Sequence, residues 1–107
     1  MAKTISKRTP ESVVSIAVLC LARDQHSGAI TVASVREQLP RYIRLGDDDL
    51  LPSPSRKAED RWEQVLRNVI SHRASGSSIF TKGYATYDRN TVKITQKGRD
   101  YLQSIGA

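Results

Sequence analysis

The sequence predicts a small, mainly helical α+β domain with a β-hairpin between its third and fourth helices. Three observations carry this. Trp62, Val65, Leu66, Val69 and Ile70 recur at i, i+3, i+4, i+7 and i+8, one face of an amphipathic helix. Val13 to Ala22 is an apolar run broken only by Ser15, behind the helix-start signal Thr9-Pro10-Glu11. Thr91-Val92-Lys93-Ile94 alternates β-branched residues directly after the turn-forming Asp88-Arg89-Asn90.

Taken in order, Thr9 is expected to cap a first helix, with Pro10 at its first position, that runs to about Asp24. A helix apolar almost all round belongs at the centre of a fold. Gln25-His26-Ser27-Gly28 reads as a turn and Ala29-Ile30 as a very short strand. Thr31 then caps a second helix, Val32 to Leu39, which Pro40 should end. Between residues 41 and 54 one helical turn is expected near Asp48 to Leu51. Asp47, Asp48 and Asp49 read as a solvated loop, since three consecutive carboxylates do not converge on an ion without partners.

The amphipathic helix is expected from near Ser55, with His72 and Arg73 favouring its C-terminal end. At 100° per residue, Lys57, Asp60, Gln64, Arg67, Asn68 and Ser71 lie opposite the apolar stripe, flanked by Arg56 and Arg61. Trp62 falls on the stripe and is assigned to the core. Ala74 to Ser78 is a flexible turn, and Ile79-Phe80 and Tyr84 to Tyr87 read as extended. Thr95 caps a last helix with Tyr101, Leu102 and Ile105 turned inward.

With 107 residues the chain is one domain, residues 1–107. Seventeen Lys and Arg oppose eleven Asp and Glu, a net charge of +6. The excess is uneven. Residues 1–54 hold seven basic and six acidic side chains, and residues 55–107 hold ten and five. A basic half containing an exposed helix implies a polyanionic partner. Cys20, the single cysteine, permits no intrachain disulfide and fits a reducing cytoplasm. The apolar run is too short to span a bilayer, and no small-residue cleavage site follows it. One Cys, two distant His, no Gly-rich phosphate loop and no paired-carboxylate nuclease pattern argue against an enzyme, a cofactor or a metal site.

The order helix, short strand, helix, helix, hairpin, helix resembles a winged helix-turn-helix over nearly the whole chain: three helices, a β-hairpin wing and a C-terminal helix. Val92-Lys93-Ile94-Thr95-Gln96-Lys97-Gly98-Arg99-Asp100-Tyr101-Leu102 is similar to the ending of many bacterial winged helices. Asp49-Leu50-Leu51-Pro52-Ser53, leading into Arg61-Trp62 to Ile70, resembles the winged-helix modules of Mrr-type and other modification-dependent restriction endonucleases. The longer connection over residues 74–87 and the lack of a nuclease domain depart from that pattern.

The resemblance implies binding of double-stranded DNA, with the third helix in the major groove. Lys57, Arg61 and Gln64 would then read base edges, with Arg56 beside them. Arg67, Lys82, Arg89 and Lys93 would hold phosphates, Asn68 and Ser71 would do either or neither, and Tyr84 and Tyr87 would divide between packing and contact. The further expectations are a recognition module serving a nuclease in a larger protein, limits like those of an excised domain, and a monomer or homodimer. The competing expectations are a winged-helix transcriptional regulator and a protein-interaction winged helix that binds no DNA.

Overall fold

A computed structural model of the chain describes residues 10–43, residue 50 and residues 59–107. Its elements follow in the order α1 (Glu11–Arg23), β1 (Ala29–Thr31), α2 (Val32–Tyr42), α3 (Arg61–Ser71), β2 (Ala85–Asp88), β3 (Thr91–Ile94) and α4 (Gln96–Ser104). The class is α+β, with four helices and one three-stranded antiparallel sheet among the described residues. No described helix is long and apolar enough to cross a membrane.

α1 occupies the centre, touching α2, α3, α4, β1 and β3. Val14, Ala17, Val18, Leu19, Cys20, Leu21 and Ala22 are all buried, the all-round burial that an apolar run requires. Its cap differs from expectation. Pro10 is the N-cap, in an extended conformation, rather than the first helical residue, and Thr9 lies outside the described residues.

In the sheet, β3 runs between β1 and β2 and pairs antiparallel with both. Ile30 stands opposite Val92, and Ala85 opposite Ile94, so one face is apolar and rests on the helices. Thr31 ends β1 and also caps α2, its Oγ1 accepting from the Ser34 amide at 3.1 Å. Thr95 repeats this at α4, accepting from the Gly98 amide at 3.0 Å. Gly98 has no alternative residue: a Cβ there would collide with the Tyr84 carbonyl and the Ile94 side chain.

Four boundaries correct the sequence reading. α2 continues through Pro40 to Tyr42. A proline so near a helix end removes one hydrogen-bond donor and leaves the preceding turns intact. α3 starts at Arg61, not near Ser55, because Asp60 caps it: the Asp60 amide donates to Glu63 Oε1 at 2.9 Å, and the Asp60 carboxylate faces the Glu63 amide in a capping box. Ile79 and Phe80 are not extended. They lie in successive turns held by Ser78 to Ser75, Lys82 to Ser78 and Tyr84 to Ile79 backbone hydrogen bonds, with Ser78 Oγ accepting from the Phe80 amide. Ile105 is not inward: it follows the last turn of α4 and is 45% exposed. The turn expected near Asp48 to Leu51 lies, apart from the exposed Leu50, outside the described residues.

Tyr42, at the end of α2, meets α1 through its phenol. A hydrogen bond with Cys20, partial burial and the neighbouring Cys20 and Asp24 push it up to about 12 from the usual 10.0, against a smaller opposing pull from Arg23.

Candidate nucleic-acid interface

α3 separates its residues cleanly. Trp62, Val65, Leu66 and Val69 are buried against the core, as the apolar stripe predicted. Gln64, Arg67 and Asn68 turn away from the buried stripe and remain partly exposed, and Ser71 beyond them is exposed. A carboxylate of α3 also reaches toward α2. Glu63, already part of the capping box, lies 3.8 Å from Arg36 Nε.

The cations expected to meet phosphates differ in what holds them. Arg67 is clasped by Glu59, its Nε donating to Oε2 and its Nη2 to Oε1, both at 3.1 Å. That forked pair favours the charged guanidinium and raises its pKa, while Glu59 balances its charge locally. Arg61, at the start of the helix, is half-buried. Its Nε is inaccessible to solvent and has no acceptor among the described residues. Lys82, Arg89 and Lys93 are all exposed. Arg56 and Lys57 lie outside the described residues.

The hairpin is tighter than its sequence suggests. Asp88 pairs with Thr91 across a two-residue turn made of Arg89 and Asn90. Both have positive φ, 50° and 61°, as a type I′ turn demands. Asn tolerates this region, whereas an arginine there is strained by about 1–3 kcal/mol. The strained residue is also an exposed cation at the tip of the turn.

Strand alternation divides the hairpin candidates between two faces. Lys93 stands opposite Thr86 and Ala29 on the outer face of the sheet, beside Thr31 and Thr91. Tyr87 stands opposite Val92 on the inner face. Its ring meets Phe80 edge-on at 6.1 Å, and its hydroxyl donates to Asn90 Oδ1 at 2.8 Å. Tyr84, the other tyrosine that divided between packing and contact, stacks on Tyr101 at 4.3 Å and is committed to packing.

Two contacts of this region escape sequence reading. Arg73, expected only to favour the helix end, does donate from Nη1 to the Ile70 carbonyl at 2.9 Å. Its guanidinium also lies 4.7 Å over the Tyr87 ring. A long and mostly irregular stretch of chain separates the two, and no periodicity spans such a gap. His72 is the C-cap residue of α3, and its Nδ1 lies 3.4 Å from Glu11 Oε2 of α1. No three His, Cys, Asp or Glu gather into a metal-holding group among the described residues.

The candidates therefore form two sets, an outward strip on α3 and the charged rim of the hairpin, joined by Arg73. No protein-family model, curated protein or solved structure matches this chain.

Proposed function

We propose that this chain is a winged helix that binds double-stranded DNA, with α3 in the major groove and the β2–β3 hairpin as the wing. The carrying observation is the conjunction of two surfaces. An amphipathic α3 turns Gln64, Arg67 and Asn68 away from the core, and the hairpin after it ends in a strained, exposed Arg89. The position of β1 between α1 and α2, and the strand order β1-β3-β2, support the same reading.

In this arrangement Arg61 and Gln64, in the first half of α3, face the base edges, and Asn68 follows one turn later. Arg89 and Lys93 hold phosphates beside the groove, and Lys82 extends that charge. Arg67 reaches a phosphate only in competition with Glu59, so it contributes less than its charge suggests. The resemblance of residues 49–53 and 61–70 to restriction-type modules supports a recognition role in such a system, with a preference for modified bases.

Duplex binding measured from low to moderate salt tests the reading. Expected is a log–log slope near one unit per phosphate contact, about two to four units for these cations. A flat salt response removes the DNA assignment. Equal affinity for methylated and plain duplexes removes the modified-base preference alone.

A further inference from the structure

We propose that Arg73 is a strut that sets the hairpin against α3, and that through it the end of the recognition helix governs how the wing engages DNA phosphates. The proposal rests on the DNA-binding reading above. One planar cation makes both contacts: Nη1 donates to the Ile70 carbonyl in the last turn of α3, and the guanidinium covers the Tyr87 ring. Tyr87 passes the constraint onward, since its hydroxyl donates to Asn90 in the turn that presents Arg89. Thr81 Oγ1 donates to the Arg73 carbonyl at 3.0 Å and holds the backbone of the strut in place.

The two sides of the hairpin are anchored differently. On the β3 side, backbone bonds do the holding: the Val32 amide donates to the Asn90 carbonyl at 2.8 Å, and β1 pairs along β3. Along its other edge, β2 has side-chain support from Arg73 and Phe80 at Tyr87. Removal of Arg73 should therefore loosen the outer edge of β2, which stays paired to β3, while β1 and its pairing to β3 are untouched. An ammonium offers no planar surface that can stack on a ring and donate sideways at once, so lysine is a poor substitute here.

Amide exchange and duplex binding, measured on wild type, Arg73→Ala, Arg73→Lys, Tyr87→Leu and the double variant Arg73→Ala/Tyr87→Leu, test this. In Arg73→Ala, exchange across residues 85–88 is expected to rise roughly two- to fivefold, the scale of one exposed cation–π contact. Exchange in β1 should stay unchanged. The salt slope of duplex binding should fall by about one unit. Arg73→Lys should restore less than half of either effect, and the double variant should match Arg73→Ala instead of adding to it. A residue acting only as a phosphate cation would give full rescue by lysine, additive variants and unchanged exchange, and any of these overturns the strut. Wild-type protein that binds no duplex overturns the DNA-binding reading, and with it the wing's part of this proposal. The exchange measurement decides the strut in either case.

Discussion

α1 and α3 touch one another, yet they use their residues in opposite ways. α1 buries residues all round its axis and meets five other elements. α3 buries one stripe of four and leaves a polar strip outside. What this teaches is a division of labour. Substitutions on α1 register as stability, whereas those on the outer strip of α3 change the surface with little effect on the core.

The sharpest way to break that contrast is at Leu19, fully buried in α1. Leu19→Ala should destabilise the fold by about 2–5 kcal/mol in urea unfolding, the usual range for an excavated core leucine. Affinity for duplex per folded molecule should be unchanged. If unfolding shifts by less than about 1 kcal/mol, α1 is not the central support described.

The complementary change is Arg61→Ala with Gln64→Ala. Sequence discrimination between duplexes should fall by about 1–3 kcal/mol for each base edge that the variant no longer reads. Gln64→Ala alone should move stability only by about 0.5 kcal/mol, as Gln64 is partly exposed, and the single Arg61→Ala variant is unfolded in parallel because its Nε is buried without an acceptor among the described residues. Unaltered affinity and sequence preference would show that this strip is not the reading surface.

Arg89→Gly should separate stability from binding in one residue. Glycine accepts the left-handed conformation of the turn, so the fold should gain about 1 kcal/mol in thermal or urea unfolding. Duplex binding should weaken, with the salt slope reduced by about one. A drop in stability would show that the arginine side chain supports the hairpin itself.

The smallest expected effect concerns Tyr42. Its folded-state pKa is raised, so the neutral phenol favours the folded state. That contribution is fully present below pH 10.0 and is lost as pH rises through about 12. Subtracting the stability profile of Tyr42→Phe should isolate a decline in this window. A difference that stays level from about pH 9 to about 12 would mean that the bond with Cys20 is not maintained.

How much of this was legible depended on the range over which each signal acts. The apolar stripe from Trp62, the run from Val13 and the alternation from Thr91 name their elements correctly, because periodicity is set by contact with one core. The start of α3 was legible too. Asp60-x-x-Glu63 is a capping-box pattern, but the polar turn before Trp62 continues the helical spacing and extends the apparent helix to Ser55. At Ile79-Phe80, apolar identity suggested a strand, while serine hydroxyls and successive backbone turns fold the segment instead. For the site, the outward set on α3 follows from angle alone. The clasp of Glu59 on Arg67 and the stacking of Arg73 on Tyr87 depend on how separate segments meet, which local spacing does not encode.

The strand order carries a last consequence, for the making of the protein. Ala29 of β1 pairs with Lys93 of β3, so a strand near the start of the chain waits for one near its end. During synthesis α1, α2 and α3 can emerge and collapse together, but β1 has no described strand partner until the final strand leaves the ribosome. Until then its edge is open to other chains. Such late, distant pairing is the kind that slows folding, and a chain shortened before Thr91 would lose α4 together with the strand that holds β1.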